Sequence, residues 1–502
     1  MAQQALAPPD RIDLLGQALA AIETGRFPAA EAICRRLVRT GPDPEAELLL
    51  GLALGAQGRI AEAGRLLDRV ARARPGHPHP RRDLAELLAR HDRPGAAAAQ
   101  YRACLARRPD DAAAHHALGL LLGELGEIEP AIGHFRRAVE LDPQPAMGWS
   151  NLGMMLKVGR RFDEAIAAHD AAVARAPEDP QIRVNRAVAL LHAGRMTAAW
   201  ADYEWRLRQP GHTTLPLERL LPDLAGLDLA GRTVLVTHEE GFGDTLQFVR
   251  YVPMLAARGA RVVLAVPRQL ARLMRRLAGV AELVTLGALP EGGVQYEYHC
   301  PVFSLPRAFA TTLATIPAPV SYLSADPVLV RHWAGHLPPG GFRIGLVWAG
   351  QARPWLPGFT ALDARRSAGL ASFAVLASVS GVGFISLQMG EPTSQARAAP
   401  PGLPLHDPMG EVADFADTAA IVANLDLVIA VDTAIVHLAG ALGKPVFLLD
   451  RYDNCWRWFS GRDDSPWYPR LRIFRQAALG DWTAPMQRVA AALRASVAEQ
   501  ST

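Results

Sequence analysis

The chain has 502 residues, half of them apolar and 21% charged, with a formal net charge of +3. That length exceeds what one core sustains and predicts several domains, and the composition excludes wholesale disorder. With 53 basic against 50 acidic residues, the chain lacks the charge of a nucleic-acid binder, which would carry a clustered basic face.

The N-terminus, MAQQALAPPDRIDLL, has no basic stretch followed by an apolar one, so no secretory signal is expected. The first two hundred residues repeat with a period of 34. Leu50, Leu84, Leu118 and Leu152 are in register, as are Gly51, Ala85, Gly119 and Gly153. Ala63, Ala97, Ala131, Ala165 and Ala199 form a third column, and Pro75, Pro109, Pro143 and Pro177 close each unit. A small residue lets paired helices approach, Leu fills their seam, and Pro ends the second helix. The best unit runs from Trp149-Ser-Asn-Leu152-Gly153 through Phe162-Asp-Glu-Ala165-Ile166 to Ala172 and Pro177. It resembles the tetratricopeptide repeat, with about six units over residues 1–210. The resemblance implies an α-solenoid whose groove takes a protein or peptide partner, with a rigid arm or an oligomerisation element that binds no peptide as the alternative.

After Gln209-Pro210-Gly211 the period stops. Short β-branched runs then alternate with helical stretches, which predicts parallel sheets built from βαβ units. The predicted strands are 233–237, 261–266, 343–348, 383–387, 425–431 and 445–449, with helices near 245–258 and 268–278. Two Rossmann-like domains, 211–325 and 326–502, are the simplest assembly, with ligands at the C-terminal ends of the strands.

Four stretches carry candidate chemistry. Gly241-Phe-Gly243-Asp244-Thr245 follows the first strand, but it is neither a Walker loop nor a dinucleotide fingerprint. Its glycines permit close approach of a ligand, and on spacing alone Asp244 is most simply a helix N-cap. Val347-Trp348-Ala349-Gly350-Gln351 opens a Pro-rich loop that reaches Arg365-Arg366-Ser367. This arginine pair either grips a diphosphate or is simply solvated. In the segment VDTAIVHLAGALGKP (431–445), a strand ends at Asp432-Thr433 and a helix begins. A helix start of this kind favours a bound diphosphate, and His437 lies one turn on. Asp432 as a cap and His437 as a buried core histidine is the plain alternative. Trp456-Arg457-Trp458 and Trp467-Tyr468 either stack on a base or sugar or plug a seam between domains.

Together GFGDTLQFVRYVP, IGLVWAG, ISLQ, VDTAIVHLAGALGKPVFLL and DSPWYPRLRIFRQ resemble bacterial tetratricopeptide-repeat proteins with a C-terminal glycosyltransferase domain. That domain is similar to the lipopolysaccharide heptosyltransferases, and Asp-Tyr-Glu-Trp-Arg (202–206) fits the fused proteins. The resemblance implies a GT-B fold of two Rossmann-like halves and inverting transfer from a nucleotide-sugar to a hydroxyl, with no metal and no cofactor. It implies Asp244 as general base in an acceptor-side loop with Gly241, Gly243 and Thr245. It places the donor on Asp432, Thr433, Ala434 and His437, with Gly350, Arg366, Ser367, Gln388 and Lys444 completing that side. The chain departs from the family where donor phosphate should bind, with Gln351 for the usual Asn, a longer loop before Arg365, and Met389 for the usual Lys. A scaffold that keeps the fold without the activity is the alternative. An NAD enzyme would need a full GxGxxG, and none is present.

Cys34, Cys104, Cys300 and Cys455 form no CxxC pair, so no zinc site or disulfide framework is predicted and a reducing cytoplasm is expected. The most apolar long window, 425–449, is broken by Asp426, Asp432, His437 and Lys444, so no transmembrane segment is expected.

Overall fold

A computed structural model describes residues 8–73, 80–212, 215–287, 293–351 and 359–500. The chain divides into two compact units, Met1–Pro177 and Glu178–Thr502.

The first unit is helical: α1 (Pro8–Glu23), α2 (Phe27–Arg39), α3 (Pro44–Ala56), α4 (Ile60–Ala73), α5 (Pro80–Arg90), α6 (Pro94–Leu105), α7 (Ala112–Glu124), α8 (Ile128–Leu141), α9 (Ala146–Val158) and α10 (Phe162–Arg175). Odd- and even-numbered helices pack in consecutive pairs. The 34-residue columns have a steric cause. A Cβ on Gly51 would stand 2.7 Å from Leu67, one on Gly119 3.0 Å from Phe135, and one on Gly153 2.7 Å from His169. Each glycine thus makes room for the large residue 16 positions later on the partner helix. Leu84, Leu118, Ala63, Ala97, Ala131 and Ala165 are fully buried. Asp43 and Asp111 sit two periods apart and cap α3 and α7 through their carboxylates. Pro143 and Pro177 follow the ends of α8 and α10; Pro75 lies outside the described residues.

The second unit opens with another helical pair, α11 (Pro180–His192) and α12 (Met196–Tyr203), which runs into a 3₁₀ turn, Glu204–Arg208. The repeat pattern was expected to close a domain at 210. The compact boundary falls one helical pair earlier because this pair packs on the α/β region. The indole N–H of Trp200 donates to the Thr311 carbonyl at 2.7 Å, and buried Arg206 reaches Glu239 and Ser304.

The elements that follow are β1 (Thr233–Thr237), α13 (Phe242–Phe248), α14 (Val252–Ala257), β2 (Arg261–Val266), α15 (Arg268–Met274), β3 (Val280–Thr285), β4 (Tyr298–Pro301) and α16 (Leu305–Ala308). Then come α17 (Pro327–Ala334), β5 (Phe342–Val347), α18 (Phe359–Arg366), β6 (Val382–Ser386), β7 (Leu405–His406), α19 (Phe415–Ala423), β8 (Leu427–Val431), α20 (Ala434–Ala441), β9 (Val446–Asp450), β10 (Leu471–Arg475) and α21 (Thr483–Gln500). Among the described residues they form two wholly parallel sheets, ordered β3-β2-β1-β4 and β10-β9-β8-β5-β6-β7. β8 and β9 are buried along their whole length, as strands covered on both faces must be. The second sheet's core includes Ile344, Leu346, Phe384 and Ile429, with Val489 and Leu493 of α21 packed in the same cluster.

The helix expected over 245–258 is two helices joined by a 3₁₀ turn, Val249–Tyr251. Pro253, at the start of α14, has no N–H to continue the ladder. The helix expected over 268–278 ends at Met274.

Candidate functional site

The GFGDT stretch links β1 to α13. Glu240 adopts φ +59°, a left-handed conformation that is costly outside glycine. Gly241 is the N-cap residue, so Asp244 is the third helical residue and not the N-cap that its spacing suggested. Its Oδ2 accepts the Gly241 N–H at 2.8 Å, which ties the turn closed. The Thr245 hydroxyl bonds His238 Nδ1 at 2.6 Å.

Gly241 and Gly243 were expected to clear room for a ligand. Their open sides are taken by protein. A Cβ on Gly241 would meet Asp244 Oδ2 at 3.0 Å, and one on Gly243 would meet His437 Cδ2 at 2.8 Å and Ala434 Cα at 3.2 Å. Gly243 therefore allows the first turn of α13 to lie against the first turn of α20.

Asp244 Oδ1 pairs at 2.5 Å with Arg457, which arrives from the far end of the second sheet region. Arg457 also donates to Gln247 Oε1 at 2.8 Å and to Cys455 Sγ at 3.0 Å, and it lies over the Trp456 ring. Burial pushes the Asp244 carboxyl above the usual carboxylate range. Arg457 and the Gly241 N–H oppose that shift, while the nearby charges of Asp432 and Glu239 add to it. The Asp244 side chain keeps 21% of its surface, so one edge remains open to a ligand.

On the opposing helix, Thr433 is the N-cap residue of α20, but its side chain makes no cap bond. Its Oγ1 is buried and has no hydrogen-bond partner among the described residues. Asp432, half-buried, precedes it. His437 is buried, bonds the Tyr468 hydroxyl through Nδ1 at 2.9 Å, and stacks on Trp458. Burial, helped by Arg457 and Arg250, holds its pKa well below the usual value. Gly443 stops the helix with φ +75°.

A second cluster follows β5, whose Val347 pairs with Ala430 of β8, so both clusters lie at the C-terminal edge of one sheet. Gly350 is needed because the Arg366 guanidinium crosses it; a Cβ would overlap Arg366 Nε. Arg366 pairs with Asp363 at 2.7 Å and donates to the Gln351 carbonyl, and the Ser367 hydroxyl accepts the Gly350 N–H. Of the loop 352–364, residues 352–358 lie outside the described residues.

Two expected donor ligands are occupied elsewhere. Gln388 Oε1 accepts the N–H groups of Trp348 and Ala349, and its Nε2 donates to the carbonyls of Ala349 and Met389. Its amide is spent on the backbone, so it shapes the Trp348–Gly350 turn from behind. Lys444 lies between α20 and β9, at the opposite edge of the sheet, and donates to the carbonyls of Ala423 and Leu425 at 2.7 Å each. Trp456, Trp458, Trp467 and Tyr468 are all buried, which favours the seam over a stacking wall.

Sequence reasoning gave Arg457 no role apart from its flanking tryptophans and did not single out Arg250 or Asp450. Arg250 is buried and has no carboxylate partner among the described residues. It donates to the carbonyls of Gln247, Pro317 and Trp467 and to the Tyr322 hydroxyl, and so staples the two sheet regions. Asp450 ends β9, pairs with Arg475 at 2.7 Å, and is pushed by burial up to about 7. The one signal in the sequence was an arginine inside each aromatic cluster, where a guanidinium can lie flat on a ring.

Models of the tetratricopeptide repeat match residues 15–78 and 155–206, 56–118, and 112–145, so the N-terminal region carries tetratricopeptide repeats, which indicate a protein-interaction module. Over an alignment of 549 positions the chain is 28% identical to Protein FlbA of Caulobacter vibrioides, covering 97% of this chain and 90% of that one. Among solved structures it is similar to MamA (20% identity over 32% of this chain and 93% of that one, TM-score 0.28). It is also similar to Pseudomonas aeruginosa PilF (14% identity over 40% of this chain and 92% of that one, TM-score 0.29). Among the described residues no helix is long and apolar enough to cross a membrane.

Proposed function

We propose that the α/β region is a GT-B glycosyltransferase that moves a sugar from a nucleotide-sugar to a hydroxyl of a protein or glycan, with inversion and without a metal. The observation that carries this reading is the contact of α13 with α20. It sets a half-buried carboxylate, Asp244, beside a helix start whose Thr433 hydroxyl has no partner among the described residues. The donor diphosphate rests at that helix start, held by free N–H groups, the helix dipole and the Thr433 hydroxyl. Arg366, at the end of α18 and packed over Gly350 just past β5, is the cation assigned to the same edge of the sheet. The acceptor oxygen attacks the anomeric carbon as the bond to diphosphate breaks, and its proton passes to Asp244. Burial brings Asp244 nearer neutrality, which suits a general base, and such a base adds about 10²–10⁴-fold.

Donor hydrolysis and transfer, screened with purified protein, test this reading. Asp244→Asn alone strips buried Arg457 of its counter-charge, which costs about 3–5 kcal/mol. The cleaner variant is Asp244→Asn with Arg457→Gln, which buries no lone charge. It should bind donor and fail to turn over; full turnover would remove Asp244 from the mechanism.

The second reading is a scaffold whose repeats bind a protein or peptide and whose α/β region has lost activity. It draws support from Met389 and Gln351 at the phosphate side and from Arg457 seated on Asp244. Calorimetry against a panel of nucleotide-sugars separates the two, since a scaffold predicts no binding to any of them.

A further inference from the structure

The loop that carries Asp244 is held at its other end as well. Glu239, five residues before Asp244, is buried, and its carboxylate is gripped by both arms of Arg206, Nε to Oε1 at 2.6 Å and Nη2 to Oε2 at 3.0 Å. His212 Nε2 adds a bond to Oε1 at 2.6 Å. Arg206 is itself fixed. It donates to Ser304 Oγ at 2.9 Å, to Glu204 Oε1 at 2.9 Å and to the Tyr203 carbonyl at 3.0 Å, and it lies over the Tyr203 ring. A guanidinium with a planar fork and this many fixed partners has little freedom left, so the carboxylate it grips is fixed too. Between the two anchors stands Glu240 at φ +59°, a conformation that persists only where the surroundings enforce it.

Arg206 belongs to the 3₁₀ turn that directly continues α12, in the last helical pair of the repeat pattern. We propose that Arg206 is a positioning residue: through Glu239 it sets the geometry of the 239–244 loop, so that turnover depends on the last helical pair although none of its side chains reaches the reacting atoms. The consequence for transfer rests on the glycosyltransferase reading; the clamp on the loop does not.

The test uses the full chain with Arg206→Gln, Arg206→Lys and, as a control, Arg186→Gln. The control breaks a pair to buried Asp202 in the same helices without touching the loop. Amide exchange at Glu239–Asp244, where the Gly241 N–H reports directly on Asp244, should speed up about tenfold or more in Arg206→Gln, with the β1 amides unchanged. The control should leave the loop protected. Turnover in Arg206→Gln should fall about ten- to a hundredfold at unchanged donor affinity, with partial recovery in Arg206→Lys. If Arg206→Gln does not fold, the isosteric Glu239→Gln gives the same readout. Loop exchange equal to wild type overturns the proposal. So does a freed loop with full turnover, or a loss of turnover matched by the control. If the paired variant at Asp244 and Arg457 turns over normally, the reading of Asp244 fails, while the exchange result still decides whether Arg206 holds the loop.

Discussion

Replacing Gly243 with Ala sets two effects of opposite sign against each other. Within a helix, Ala is favoured over Gly by about 1 kcal/mol at most. Against this, the new Cβ would stand 2.8 Å from His437 Cδ2 and 3.2 Å from Ala434 Cα. Neither neighbour yields easily. Ala434 presents backbone, and His437 is pinned between the Tyr468 hydroxyl and the Trp458 ring. Overpacking of this kind costs about 1–3 kcal/mol, so the expected net change is a loss of about 0–2 kcal/mol. Thermal unfolding should show the second unit melting a few degrees lower. The two first turns would also part by some tenths of an ångström, which moves Asp244 relative to Thr433. A misplacement approaching 1 Å costs up to about 10²-fold, so on the glycosyltransferase reading proposed above turnover should fall about tenfold or more. A higher melting temperature with full turnover would show that helix propensity wins and that α13 and α20 do not need the glycine.

Gly440→Ala is a sharper case of the same conflict, since its Cβ would overlap the buried Tyr468 ring; denaturant unfolding should show a loss of about 1–3 kcal/mol. Lys444→Met should destabilise by about 1–3 kcal/mol, by stranding the carbonyls of Ala423 and Leu425, and leave nucleotide-sugar affinity unchanged by calorimetry; a tenfold loss of affinity would return Lys444 to the donor side. Burial pushes the Glu239 carboxyl up, but Arg206 and His212 more than offset it and hold it at about 2. Its folded pKa lies below the free value of 4.5, so its stabilisation is whole above that pH and is lost as pH falls toward 2. Unfolding curves of Glu239→Gln should lack that acid limb, and an unchanged limb would assign it to other groups.

The strands that the sequence revealed are the interior ones. β1 and β2 lie inside the first sheet, and β5, β6, β8 and β9 inside the second. The four it hid, β3, β4, β7 and β10, are the edges. An interior parallel strand is covered on both faces and reads as a continuous apolar run, whereas an edge strand keeps polar residues and loses that signature. β3 shows the difference, with Val284 buried and Glu282 not. The repeat was legible for a related reason. Its columns record contacts 16 residues apart within one helical pair, and the same contact recurs at Gly51, Gly119 and Gly153.

The candidate site divides along the same line of sequence separation. What depends on near neighbours, the glycine turn, the helix start at Thr433 and the stop at Gly443, was readable from local residue types. What gives those elements chemical character comes from far along the chain. Arg457 meets Asp244 across 213 residues and Arg206 meets Glu239 across 33. A buried carboxylate has no fixed behaviour of its own, since desolvation and a single cation pull its pKa in opposite directions by comparable amounts. Asp244 and Glu239 make the point within one loop. Both are pushed up by burial, yet Glu239, gripped by a bidentate arginine and a histidine, ends below the usual range, while Asp244, with one arm of Arg457, ends above it. The difference between an anchor and a candidate base therefore lies in how many donors each carboxylate meets, and no feature of HEEGFGDT alone could have told the two apart.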